Sequence, residues 1–288
     1  MQDSSLSPEL VERVLARLGF TQRPEPTLEN LRALYAAWCQ RVPFDNVRKL
    51  IHLHAGNTGP FPGSTAPDFF EAWLWHGTGG TCWAGAGACH ALWQSLGFNA
   101  DRGLGTMMAA PNLPPNHGTV RLRFGNENYL TDCSMLHGEP LRLDENSETR
   151  IAHPAWGLRC SQREGKWHIL WRPLHKVDGL ECHLEAFGLS GDDYQQRYGQ
   201  TRGWSPFNFE AYARLNQTDR VVGVGFGKAV VLKADGSVDS HPTSDAERRK
   251  ILIEQIGLSE EIVSQLPADR PTPSPPGSKT AAMQDTNA

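Results

Sequence analysis

The stretch Thr119-Val120-Arg121-Leu122-Arg123-Phe124-Gly125-Asn126-Glu127-Asn128-Tyr129-Leu130-Thr131-Asp132-Cys133 decides the fold class of this chain. Val120, Leu122 and Phe124 alternate with Thr119, Arg121 and Arg123, the period of a strand with one buried face. Gly125 to Asn128 reads as a turn and Tyr129 to Cys133 as the return strand. A second hairpin is expected from Leu158 to Gln162, turning at Arg163-Glu164-Gly165-Lys166 and returning from Trp167 to Arg172. A third runs from Lys228 to Lys233 and turns at Ala234-Asp235-Gly236.

Helices flank the hairpins. Ser7-Pro8 is an N-cap followed by Pro at the first helical position, ahead of an apolar face of Leu10, Val11, Val14, Leu15 and Leu18. Gly19 ends it. Thr27 caps a second helix carrying Leu28, Leu31, Leu34, Tyr35 and Trp38, and Pro43-Phe44 breaks the pattern. His54 to Pro67 reads as a long loop, and Asp68 as the cap of a short helix with Phe69, Phe70, Trp73 and Leu74. A further helix runs from Cys82 to Leu96 and stops at Gly97. Beyond the hairpins, Ser244 and Glu247 form a capping box for a helix through Ile256, closed by Gly257. A short last helix follows Ser259. From Pro267 the chain is Pro-, Ser- and Thr-rich and reads as a disordered tail. Strands do not alternate regularly with helices, so a doubly wound parallel sheet is disfavoured and an α+β fold is expected. Gly223-Val224-Gly225-Phe226-Gly227 leads into a strand, not a helix, and reads as a glycine-rich strand edge and not a dinucleotide loop.

Composition narrows the function classes. The 288 residues include nine Trp, eleven Phe and five Tyr, ample apolar area for a folded chain. No apolar run reaches the roughly 18 residues of a membrane span. Net charge is -4 and no Lys/Arg block stands out, so the footprint of a nucleic-acid binder is missing. The N-terminal residues lack a secretory pattern, and the six Cys show no CxxC pair, which together imply free thiols in the cytoplasm. The His residues show no metal-ligand spacing; His52-x-His54 comes nearest and reads as a loop pair.

Cys82, His117 and Asp132 carry the candidate chemistry. Cys82 follows Gly79-Gly80-Thr81 and opens a helix, whose free N–H groups and partial positive charge stabilise a thiolate. His117 enters the hairpin and Asp132 ends it. Cys, His and Asp are the nucleophile, base and orienting group of acyl transfer, although packing roles for all three remain open on spacing alone. A tight turn over Gly125–Asn128 places Arg121 opposite Asp132 and leaves His117 ~13 Å from Asp132's partner. Contact then requires a bend, for which Pro114-Pro115 and Gly118 are available.

The ordered set Val42-Pro43-Phe44-Asp45-Asn46, Gly79-Gly80-Thr81-Cys82-Trp83, His117 before a hairpin, and Tyr129-Leu130-Thr131-Asp132 resembles the arylamine N-acetyltransferase family. Trp167 on a strand and Ser205-Pro206-Phe207-Asn208 extend the likeness over roughly residues 5–266. The resemblance implies an N-terminal helical bundle (residues 1–97), a central antiparallel β-barrel (98–200) and a C-terminal α/β lid (201–266), with 267–288 as the tail. It implies a Cys-protease-like core of Cys82, His117 and Asp132 and an acyl-coenzyme A donor, the acyl group passing through Cys82 to a small-molecule amine. Phe44, Trp83, Ser205, Phe207 and Asn208 fall where such a family binds its substrates. The chain departs from the family beside the nucleophile, with His76-Gly77-Thr78 before it and Ala84-Gly85-Ala86-Gly87 after it, and Cys133-Ser134-Met135-Leu136 follows Asp132. Small residues after Cys82 suggest a wider pocket and admit a longer acyl group or an acyl carrier protein as donor. A hydrolase or transglutaminase-like enzyme with the same triad, or a non-catalytic binding descendant, are the rival readings.

Overall fold

In the computed structural model, which describes residues 5–176 and 178–275, Thr and Ser side chains begin most helices. Ser7 accepts from Leu10 N to start α1 (Pro8–Leu18), and Thr27 from Asn30 N to start α2 (Leu28–Arg41). A two-residue strand, β1 (Phe44–Asp45), precedes α3 (Val47–His54), α4 (Ala66–His76) and α5 (Cys82–Ser95). The cap of α4 is Thr65, not Asp68, which lies in its first turn and accepts from Gly63 N. Helix α3 occupies a segment that the sequence reading leaves unassigned. Trp38, Phe69, Phe70, Trp73 and Trp93 are fully buried where these helices meet.

Eight antiparallel strands follow: β2 (Ala100–Met107), β3 (His117–Phe124), β4 (Glu127–Thr131), β5 (Leu141–Leu143), β6 (Thr149–Ile151), β7 (Leu158–Arg163), β8 (Lys166–Trp171) and β9 (Leu180–Phe187). Their order is β5-β4-β3-β2-β9-β8-β7-β6. The Thr149 hydroxyl donates to the Arg142 carbonyl between the two edge strands, so the sheet is a nearly closed barrel. The hairpin turns are shorter than the four-residue turns read from sequence. Phe124 pairs with Glu127 and Arg163 with Lys166, leaving two-residue loops. Gly125 alone has positive φ in the first, and both Glu164 and Gly165 in the second, as the favoured hairpin types require.

Helix α6 (Gly191–Gln200) packs against α5 where Tyr194 meets Trp83, and single 3-10 turns follow at Thr201–Gly203 and Pro206–Asn208. The chain then forms β10 (Ala213–Asn216), β11 (Arg220–Gly225), β12 (Lys228–Lys233), β13 (Val238–Pro242), α7 (Asp245–Glu254) and α8 (Glu260–Ser264). Ser244 caps α7 through Glu247 N. The glycine-rich Gly223–Gly227 segment ends β11 and turns into β12, as read from sequence. The second sheet has the order β1-β10-β11-β12-β13, so it takes one strand from the N-terminal part. Val47 and Leu50 of α3, Val222 and Val224 of β11, and Ile251 and Leu252 of α7 share a core there. The tail differs from expectation in its first part. Asp269 accepts from Ala211 N and pairs with Arg248, and Thr272 donates to Glu210. Residues 276–288 of that segment lie outside the described residues. Among the described residues no helix is long and apolar enough to cross a membrane.

Candidate active site

Two motifs far apart in sequence form one support for Cys82. Asp45 Oδ2 accepts from Gly79 N at 2.6 Å, Asp45 Oδ1 accepts from Val47 N at 3.0 Å, and Asp45 N donates to Gly80 O at 3.3 Å. A Cβ on Gly79 would lie 1.8 Å from the Pro43 carbonyl oxygen. Glycine is therefore required by close approach of two backbones. Beyond this junction Thr81 is the N-cap of α5 and Cys82 its first residue. The other Ser and Thr N-caps (Ser7, Thr27, Thr65, Ser190, Ser244, Ser259) accept from a helix N–H, whereas Thr81 makes no side-chain cap bond. The first bond of α5 is Gly85 N to Thr81 O, which leaves the N–H groups of the first turn free of helix partners.

His117 Nε2 lies 2.6 Å from Asp132 Oδ2. Asp132 is held at every polar atom. Its Oδ1 accepts from Ser134 N and Met135 N, both at 2.9 Å, and its backbone N–H donates to the Tyr35 hydroxyl, which donates to its carbonyl at 2.7 Å. Cys82 Sγ donates to the carbonyl of Asn116, the residue before His117, at 3.9 Å, and Nδ1 of His117 is the ring nitrogen that Asp132 does not engage. All three residues are buried, His117 at 1% and Asp132 at 0% exposure. Burial opposes charge on both, but the charge and hydrogen bond of Asp132 outweigh it and raise the His117 pKa. Asp132 is held below the usual carboxylate range by His117 and two backbone N–H donors, against the effect of its burial. The pair is thus ionised at neutral pH.

The expected bend before the strand is not what joins them. Asn116 Oδ1 accepts from Met107 N and Asn116 N donates to Gly105 O, so the β2–β3 ladder continues straight into His117. Gly118 serves a different purpose: a Cβ there would lie 2.1 Å from the Tyr194 hydroxyl oxygen. Tyr194 of α6 also meets Trp83 edge-on at 4.9 Å, and so covers the site.

The other sequence-predicted residues divide into two groups. Phe44 and Phe207 meet at 5.2 Å, and both meet Tyr212, at 5.6 and 5.3 Å. Ser205 and Asn208 are turned to their own loop: Ser205 Oγ accepts from Phe207 N, and Asn208 Nδ2 donates to the carbonyls of Thr201 and Arg202. The small residues after Cys82 divide: Ala84, Gly85 and Ala86 are packed, whereas Gly87 has open space at its Cβ position and lines a pocket with Trp83, Tyr194 and Tyr198. Ala84 and Ala86 are buried, and Gly85 gives way to the side chain of Cys133, 3.0 Å from its ideal Cβ. Cys133 follows the end of β4 and lies in a turn, not in the strand expected from sequence. All six cysteines are free and buried. Sequence reasoning missed Tyr35, whose place on an apolar helix face gives no sign of its bonds to Asp132. It also missed Asn46, whose side chain donates to the carbonyls of Phe207 and Glu210 and accepts from Tyr212 N.

Cys82 thus opens a helix beside a nearly closed antiparallel barrel that carries the buried His117–Asp132 pair. A family model described as N-acetyltransferase matches residues 27–259, and the chain belongs to that family. It is similar to an arylamine N-acetyltransferase of Mycolicibacterium smegmatis, 26% identical over 178 residues that cover 56% of this chain and 62% of the relative. The match therefore spans less than two thirds of that relative. The fold is similar to that of the arylamine N-acetyltransferase from Mycobacterium abscessus, with a TM-score of 0.75 and 21% identity over 88% of this chain and 92% of the other. It is also similar to the Mycobacterium marinum enzyme solved in complex with CoA, with a TM-score of 0.74 and 17% identity over 88% and 94%.

Proposed function

We propose that this protein transfers an acyl group from an acyl-coenzyme A thioester through Cys82 to a small-molecule amine. The observation that carries this reading is the buried His117–Asp132 pair at 2.6 Å beside a cysteine that opens an uncapped helix. Membership of the N-acetyltransferase family supports the reaction class. The Cys82 thiolate, paired with protonated His117, attacks the thioester carbonyl. The free N–H groups of the first turn of α5 face the site where the oxyanion develops, which lowers the barrier without a metal. The bond to the coenzyme A sulfur breaks, the leaving thiolate takes the His117 proton, and the acyl group stays on Cys82. The amine then attacks, neutral His117 removes its proton, and the amide leaves as the Cys82 thiolate re-forms. An arylamine is neutral at pH 7, so a histidine base suffices.

Phe44 and Phe207 form an aromatic wall for the acceptor, and Trp83 with Tyr194 closes the other side. The segment after residue 200 acts as a lid. Burial of the triad favours amine over water as the second nucleophile. Intact-mass measurement after incubation with acetyl-CoA, longer acyl-CoAs and an acylated carrier protein tests the reading. An acyl adduct that disappears in Cys82→Ala and discharges faster with arylamine supports it. Absence of adduct with every donor, together with a Cys82 inert to iodoacetamide, would overturn it.

A further inference from the structure

On β9 the buried Leu180, Cys182 and Leu184 face the barrel core, so Glu181 and His183 alternate onto the opposite face. His168 of β8 stands directly opposite His183, and therefore shares that face. The two imidazoles lie 4.1 Å apart between ring centroids, tilted by 53°. His183 Nε2 lies 3.3 Å from Glu181 Oε2. One ligand atom from each of the three residues lies within 4.8 Å of the other two. His168 Nδ1 is buried and has no hydrogen-bond partner among the described residues. The sequence hides this cluster, because Glu181-x-His183 gives two ligands and the third comes from across the β8–β9 ladder. His52 and His54, the pair closest to a ligand spacing in sequence, gain no third ligand among the described residues.

We propose that His168, Glu181 and His183 bind one divalent transition-metal ion of the zinc, cobalt or nickel class. Two imidazoles and one carboxylate are the donor set of such ions, whereas magnesium and calcium take oxygen ligands. Three of the four positions of a tetrahedral site come from the protein, and water completes it. Two paired strands fix the imidazoles, so little ordering is needed on binding. Cys182, between the two β9 ligands, points the other way: its Sγ lies 3.1 Å from the ideal Cβ of Gly105, which in turn is 3.6 Å from His117 Cδ2. The ion thus clips β8 to β9 on the face of the barrel wall away from His117, and it takes no part in acyl transfer.

The test is titration of the untagged full chain with Co²⁺. The expected result is one equivalent bound, with visible bands of nitrogen and oxygen ligation, no near-ultraviolet thiolate band, and displacement by Zn²⁺. Zn²⁺ raises the unfolding midpoint and Mg²⁺ does not. His168→Asn and His183→Asn abolish the visible bands and the shift, and Glu181→Gln weakens binding, while all three keep the wild-type midpoint in EDTA. A thiolate band, wild-type binding by His168→Asn, or no binding at all overturns the proposal. A variant that unfolds in EDTA is replaced by His168→Gln, for which the same two outcomes decide.

Discussion

Val120 stands opposite Thr131 across the β3–β4 ladder, and this pairing is what brings His117 to Asp132. A four-residue turn would pair Phe124 with Tyr129 and leave His117 four positions past the partner of Asp132. The two-residue turn shifts the register by two, so the separation falls to two positions, roughly 7 Å along the strand. At that diagonal, side chains on one face touch. Asp132→Asn keeps the geometry but removes the charge that raises the His117 pKa. Acyl-enzyme formation is expected to fall by on the order of 10³- to 10⁴-fold, as in related triads. Single-turnover mass spectrometry reads it, and near-wild-type acylation would refute the orienting role of Asp132.

The same pair makes stability depend on pH. The folded His117 pKa is raised, so its contribution is full below the unfolded value of about 6.5 and is lost as pH rises toward the folded value. The folded Asp132 pKa is lowered, so its contribution is full above about 3.9 and is lost as pH falls toward the folded value. Buried Lys49, pushed down to about 7 by burial, acts with the opposite sign at alkaline pH. The His117 contribution is therefore read as the difference between wild type and His117→Gln in urea unfolding from pH 5 to 9. That difference is expected to shrink steadily above pH ~6.5. A pH-independent difference would contradict ionisation of the pair.

Local chemistry was legible in the sequence and long-range pairing was not. Ser7, Thr27 and Ser244 announce their helices because a cap needs only three residues. Helix α3 gives no such sign: Asn46 makes no cap bond, since its side chain holds the segment from Phe207 to Tyr212. Strand β2 is hidden by Gly103 and Gly105, which break the alternation. A Cβ on Gly103 would lie 2.7 Å from Thr119 Cγ2 and 2.9 Å from Phe187, and one on Gly105 would lie 3.1 Å from Cys182 Sγ and from His183 O. The α6 cover has only Tyr194 and Tyr198 buried on an otherwise polar helix, too weak a pattern to mark it. His117 and Asp132 stand out in the sequence by type and order, but their contact depends on a turn two residues shorter than the one read.

Two glycines near Cys82 predict opposite outcomes. Gly79→Ala places a methyl group against the Pro43 carbonyl and is expected to destabilise by about 3 kcal/mol and to lower acylation with it. Gly87→Ala meets nothing within 4 Å and lies inside α5. It is expected to stabilise by about 0.5–1 kcal/mol through helix propensity. Urea unfolding of both variants checks the pair, and equal effects would rule out the close-approach argument.

Phe44 is buried in the core and meets Phe207 and Tyr212 edge-on, at the aromatic wall proposed for the acceptor. Phe44→Leu keeps an apolar side chain of similar bulk, and the expected stability loss is under about 1.5 kcal/mol. The acceptor KM is expected to rise for aromatic amines with little change in acylation by the donor. An unchanged acceptor KM would place the amine elsewhere.

Asn46 joins the segment before α3 to residues 207–212 through three side-chain hydrogen bonds, to Phe207 O at 3.0 Å, Glu210 O at 2.8 Å and Tyr212 N at 2.8 Å. Asn46 is 1% exposed, so no bulk water replaces these bonds when the amide is removed. Asn46→Ala leaves buried polar groups unpaired and is expected to cost about 3 kcal/mol. The loss is local as well as global, because residues 205–212 carry Phe207 and close the aromatic wall. Hydrogen exchange of amides 205–212 is expected to quicken more than that of β7 and β8, where no bond is lost. If exchange rises evenly along the chain, Asn46 is a general core residue and not the clamp that holds residues 205–212 to the segment beside Gly79 and Gly80.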